Sequence, residues 1–280
     1  MFIKKTHKIY YSLNEVIEKF REVQPNKFTD IGCGVCFIKF KEDLDVSKVE
    51  KFLKYYCIEN SWSPDLPLET FFKYFNGDKE DIEFSNFIVD QYSKFGSISG
   101  GNHFIEYGRT SDNQNYFIIH SGNNGIYEYL YKRFGSSKAI FISKLIAIEN
   151  RKEIMNKLIY IFKIRNIEKK FDQVHYNAIK VDSNSDYRLL RGVSRADESN
   201  GNIFLNGPWK KSLLIYPNKN AEYVSHGFEE IVFGEVNYKN KKNYFNKNYF
   251  REYKEIPIYE EIKSYLELNP LVISRPIGIF

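Results

Sequence analysis

Four of the five histidines, at positions 103, 120, 175 and 226, stand within two residues of Gly, Ser or Asn, where strands end and the backbone bends. Their settings are Gly101-Asn102-His103, His120-Ser121-Gly122, His175-Tyr176-Asn177 and Ser225-His226-Gly227. A histidine that fills a core sits among apolar neighbours, whereas these are placed as loop residues that present ligands. Strand-like runs at 103–107 and 116–120 begin or end on two of them. Any fold for this chain has to explain why most of its few imidazoles fall where strands end.

The segment Asp30-Ile31-Gly32-Cys33-Gly34 sets a carboxylate and a thiol three residues apart across a glycine turn, so both can face one pocket. Residues 35–40 follow as an alternating strand. A thiolate with imidazoles and a carboxylate suits Zn²⁺, Mn²⁺ or Fe²⁺, and the charge of the ion keeps Cys33 deprotonated. Asp30, Cys33, His103 and His120 are therefore the candidate metal ligands. Cys33 and Cys36 also form a CxxC, but there is no second one and Cys36 begins the strand, so a zinc knuckle or redox pair is the weaker reading. The three cysteines, at 33, 36 and 57, are too few and odd in number for a disulfide scaffold, and argue for a reducing compartment.

At 280 residues, 42% of them hydrophobic and 17% aromatic, the chain can bury a sizeable core. A formal charge of +5 favours a polyanionic partner without establishing one, since many enzymes of neutral substrates are equally basic. No N-terminal stretch has the apolar centre of a signal peptide. The most apolar run, 139–148, is broken by Lys144 and is too short to span a bilayer. The expectation is a soluble, cytoplasmic protein with no membrane partner.

Along the chain, Ser12 and Glu15 form a capping box ahead of a helix with Leu13, Val16, Ile17 and Phe20 on one face. Residues 47–56 predict a second helix, with Ser47 and Glu50 in the capping positions, and Pro64 and Pro67 punctuate a loop. Residues 80–94 are helical by pattern, and the Gly/Ser stretch 96–101 ends them. A long helical region is expected over 136–170, with Ile154, Leu158 and Ile161 at helical spacing. Short strands follow at 187–190, 202–205, 213–216 and 230–233, and a last helix near 258–267. The tract 238–251 interleaves Lys and Arg with aromatics, a composition that can stack on and neutralise RNA and that equally makes an exposed loop. With no internal repeat and no long linker, the pattern predicts one α+β domain over 1–280.

The segments DIGCGV (30–35), GSISGGNHFIE (96–106), IHSGNNG (119–125) and SHG (225–227) resemble, in the same order, the signature segments of the RtcB family of RNA ligases. There the patterns run roughly DIGCG, GTLGGGNHFIE, HSGSRG, HN, an IPGSMG loop and HGAGR. The resemblance implies a single RtcB-like domain with mixed sheets surrounded by helices. It implies joining of RNA 3′-phosphate or 2′,3′-cyclic phosphate ends to 5′-hydroxyl ends, with GTP and Mn²⁺, in tRNA splicing or RNA repair. By motif, Asp30, Cys33 and His103 would hold one ion, and Cys33, His120 and a third imidazole the other. Asn102, Glu106, Asn177 and Arg275 would contact the nucleotide, and His226 would be the nucleophile that takes GMP.

Several positions depart from the family pattern. The His-Asn pair becomes His175-Tyr176-Asn177, and strict alignment sets Tyr176 at the ligand position, so either His175 reaches across through a local bulge as the third imidazole or the second metal site is weak. His226-Gly227 is followed by Phe228-Glu229-Glu230 where the family has an arginine, and Asn124 replaces another arginine. Gly207-Pro208 stands for the phosphate-binding Gly-Ser, and Arg275 takes the place of a C-terminal lysine. Metal-site residues survive better than nucleotide-cradling ones. A degenerate relative that binds metal and RNA ends without ligating is the alternative, and a metal-dependent enzyme on another phosphate substrate is a third.

Overall fold

The computed structural model describes residues 9–10, 31–53, 64–75, 82–98, 103–123, 125–180, 187–197 and 199–204, with short strands at 213–215, 223–225, 231–232, 235–236, 271–272 and 276–279. In chain order the elements are β1 (Ile9–Tyr10), β2 (Gly34–Phe40), α1 (Val46–Leu53), α2 (Leu68–Lys73), α3 (Ile82–Lys94), β3 (Phe104–Arg109), β4 (Asn115–Ser121), α4 (Tyr127–Phe134) and α5 (Ser136–Ile161). There follow β5 (Ile167–Val174), β6 (Tyr176–Lys180), β7 (Tyr187–Arg195), β8 (Asn202–Phe204), β9 (Leu213–Ile215), β10 (Tyr223–Ser225), β11 (Ile231–Val232), β12 (Glu235–Val236), β13 (Leu271–Val272) and β14 (Pro276–Ile279).

A five-stranded sheet in the order β14-β3-β4-β2-β5 organises the molecule. Every residue of β2 and β4 is buried, so both faces of these two strands are covered. On one face Cys36, Ile38, Phe40, Ile105, Tyr107, Phe117 and Ile119 pack against Val49 and Leu53 of α1 and Ile154, Met155 and Leu158 of α5. On the other, Val35, Phe37, Phe104, Tyr116 and Ile118 meet Ile203 and Leu214 of the small sheet β13-β9-β8. A third cluster joins Ile31 to Phe71, Phe75, Phe84, Ile88, Tyr127, Leu130 and the first half of α5. The architecture is α+β, as the sequence predicts. Where mixed sheets are expected, however, every described strand pair is antiparallel.

The turns follow local chemistry. Thr110 and Gln114 close the β3–β4 hairpin through a 2.7 Å backbone bond, and Asn113 takes the left-handed conformation that asparagine tolerates, φ 62°. Gly135, at φ 77°, ends α4 with its N–H on the Tyr131 carbonyl and lets α5 start at once. The α1 cap is Asp45, whose carboxylate accepts from the Ser47 and Lys48 amides, two residues ahead of the expected Ser47 cap.

One helix expectation is corrected. The region 136–170 does not stay helical: α5 stops at Ile161, Lys163 adopts φ 53°, and residues 167–174 form an edge strand on β2. The strand wins because Phe37 and Phe171 pack with tilted rings at 5.3 Å and the free edge of β2 is covered. The expected elements at 12–20 and 258–267 and the tract 238–251 lie outside the described residues.

Candidate metal centre

Register alone gathers the four donor-bearing segments. Gly34 pairs with Ser121 on one side and Val174 on the other, and Phe104 pairs with His120. The start of β2, the end of β4, the start of β3 and the end of β5 therefore meet at one end of the sheet. Cys33 and His103 stand just before their strands, His120 at the close of β4, and His175 just after β5. Antiparallel neighbours put alternate termini side by side, so residues remote in sequence become neighbours in space.

The side chains converge as the termini do. Cys33 Sγ lies 3.1 Å from His120 Nε2 and 3.4 Å from His103 Nε2. Ligand atoms of Cys33, His120 and His175 all fall within 4.8 Å of one another. The His120 ring centroid stands 5.5 Å from that of His103 and 5.4 Å from that of His175. The His175 amide donates to the Cys33 carbonyl at 2.7 Å, fixing β5 to the Cys33 turn. All four residues are buried, His120 completely.

Thus the thiol touches both His103 and His120, and His175 completes a three-donor set with Cys33 and His120. An ion bonded at about 2.0 Å to nitrogen and about 2.3 Å to sulfur can be shared by donors this close. One thiolate and two imidazoles form a borderline-soft set that divalent transition metals favour. The cluster can hold a metal ion, and bonding to it would offset the cost of burying these polar groups.

His175, rather than the neighbouring position singled out by strict alignment, is the imidazole beside Cys33 and His120. Glu106 is buried on β3, where Tyr116 donates a 2.5 Å hydrogen bond to it. Burial pushes its carboxyl up to about 7, against a partial offset from the Tyr116 hydroxyl. Asn177 belongs to β6. Asp30, Asn102, His226 and Arg275 lie outside the described residues. Cys36 points to the helical side of the sheet, among Ile38, Phe40 and Met155, away from the histidines. Its thiol is pushed up to about 12 by burial and by the Asp172 carboxylate, which fits a structural cysteine.

The sequence reading missed the residues that brace the centre. Asn123 donates to the Ile31 carbonyl at 2.5 Å and accepts from the Gly125 amide, tying the Cys33 turn to the loop after His120. Asn150 accepts from the Gly96 amide and donates to the Ser97 carbonyl and the Ser121 hydroxyl, tying down the approach to His103. Arg151, on the same helix, is wholly buried against Asp172. A usable signal existed: Arg151 falls at the helical spacing of Ala147, Ile154 and Leu158, and a charge inside an apolar stripe has a partner or a task.

No helix among the described residues is long and apolar enough to cross a membrane. No family model matches the chain, and no curated protein matches it.

Proposed function

We propose that the chain is an RtcB-like RNA ligase that joins RNA 3′-phosphate or 2′,3′-cyclic phosphate ends to 5′-hydroxyl ends, using GTP and Mn²⁺. The observation that carries this reading is the Cys33 thiol in contact with His103 and His120, with His175 beside them. Three of the four residues come from the segments that bear the RtcB resemblance, and a thiol between two imidazole groups is what a shared ligand requires. Bound ions would neutralise phosphate oxygens and stabilise in-line displacement at phosphorus.

The chain's own residues divide the remaining work. Cys33, His103, His120 and His175, with Asp30 by motif, hold the ions. The buried walls around His120, including Phe104 at 5.4 Å, keep water from the inner donors. His226 takes GMP as a neutral imidazole, forming an N–P bond as pyrophosphate leaves. Strand register supports the nucleophile's proximity. Ser225 pairs with Val193, and Val193 pairs on its other side with Tyr176. The residue before His226 is thus about 10 Å, two strand spacings, from the residue after His175.

A second reading rests on a specific feature. Glu229 and Glu230 stand where the family pattern has a phosphate-pairing arginine, and two acids there oppose a triphosphate. They favour a relative that binds metal and RNA ends without ligating. Incubation with α-labelled GTP and Mn²⁺, followed by denaturing electrophoresis, separates the two. A ligase becomes labelled slowly through an acid-labile bond, and His226→Ala abolishes the label while metal binding persists. An unlabelled protein that has bound Mn²⁺ in excess GTP is the RNA-end binder.

A further inference from the structure

The donors account for one side of the strand ends; beneath them, on the helical side, lies the buried charge of Arg151. Its guanidinium has five N–H groups in a fixed fork. Nε and Nη2 bind the Asp172 carboxylate at 2.6 and 2.8 Å. Nη1 donates to the carbonyls of Gly32 and Ser121, both at 2.8 Å. Gly32 precedes Cys33, Ser121 follows His120, and Asp172 lies on β5 just ahead of His175. One side chain therefore grips the three segments that carry the Cys33, His120 and His175 donors.

Space tells the same story. A Cβ added at Gly34 would stand 2.8 Å from Arg151 Cζ, so the strand behind Cys33 lies directly on the guanidinium. Gly32 has φ +86°, and a Cβ there would come within 2.6 Å of the Lys144 backbone on the same helix. The Cys33 turn is pressed onto α5 at two glycines, with Arg151 between α5 and the turn.

We infer that Arg151 is the positioning residue of the metal centre, holding the Cys33, His120 and His175 segments at the spacing one ion requires; this rests on the metal-binding reading. A core arginine with no such task is replaceable, since a buried ion pair exchanged for apolar residues of similar volume is often neutral or stabilising. Here three backbone or carboxylate acceptors converge from three ligand-bearing segments, and a point charge or an apolar chain cannot hold all of them.

The test is Co²⁺ titration of the full chain, read by the thiolate-to-cobalt charge-transfer band and the d–d spectrum, beside thermal unfolding of the metal-free protein. Arg151→Met is expected to weaken Co²⁺ binding about 10- to 100-fold and to alter the d–d pattern. Arg151→Lys, which keeps the charge without the fork, is expected to recover only part of the affinity. Wild-type affinity and spectrum in Arg151→Met, whatever its unfolding temperature, would make the residue merely structural and overturn the inference. Should Arg151→Met fail to fold, Asp172→Asn decides, because it keeps volume and leaves the two carbonyl acceptors. Weaker binding with a changed spectrum supports the inference, and wild-type behaviour overturns it. A wild-type chain that takes up no Co²⁺ overturns the metal reading itself, whereas thiolate-bound Co²⁺ with indifferent variants removes only the positioning role.

Discussion

Glu106 is a carboxyl without water around it, and such a group titrates late. Its folded pKa, about 7, lies above the unfolded 4.5 because burial penalises the charged form. The stability it contributes is therefore complete below about pH 4.5 and is lost as the pH climbs through about 7. The loss is on the order of 3 kcal/mol if no other group compensates. Glu106→Gln, which keeps the shape and can still accept from Tyr116, is expected to flatten that decline. Urea denaturation at pH 5 and pH 8 checks it: equal losses in the two proteins would clear Glu106 of the effect. The roles of single residues were unevenly legible. Cys33, His103, His120 and His175 stood out because few other residues have their chemistry and each borders a turn. Asp172 and Asn150 did not, because a polar residue in a helical or strand pattern reads as surface until the packing is known.

Among the elements, α5 carries contrasting duties along one helix. Leu158 and Met155 are buried against β2 and β4, while Tyr160, two residues on, is 82% exposed. Leu158→Ala should cost about 2–5 kcal/mol, since the tight sheet face beneath it cannot collapse into the space. Tyr160→Ala should change stability by less than about 0.5 kcal/mol. Chemical denaturation of both variants measures the difference, and a similar cost for the two would mean that the helix is not packed as described. The sequence periodicity found α5, α3 and the central strands, because burial on one stripe or on both faces leaves a pattern. It overran into β5, because Ile167, Lys169 and Phe171 are ambiguous without the edge of β2 to pair with. It also passed over α4, whose eight residues are too short a run for apolar spacing to stand out from chance.

At the scale of the molecule, binding of an ion at the strand ends would be coupled to folding. An ion that binds only the assembled strand ends stabilises by about 2.7 kcal/mol at a hundredfold excess over its Kd. Thermal unfolding with and without Mn²⁺ or Co²⁺ should therefore show a rise of several degrees in the wild type. Cys33→Ala, lacking the central donor, should show little or none, and EDTA should reverse the rise. An equal shift in both proteins would assign the ion to some other site. The convergence of the four segments could not be read from the sequence, because it depends on strand order, and strand order is a property of the whole sheet.

That convergence also dictates when, during folding, an ion can act. Cys33 and His120 are 87 residues apart, and even His103 and His120 are separated by a whole hairpin. In a zinc finger the donors are close in the chain, so the metal can nucleate the fold. Among Cys33, His103, His120 and His175 no two are neighbours in the chain, and loops must close before an ion meets more than one of these four. An ion held there would therefore come last: it would leave the refolding rate nearly unchanged and slow the unfolding rate, acting as a latch on a finished structure rather than a seed for it.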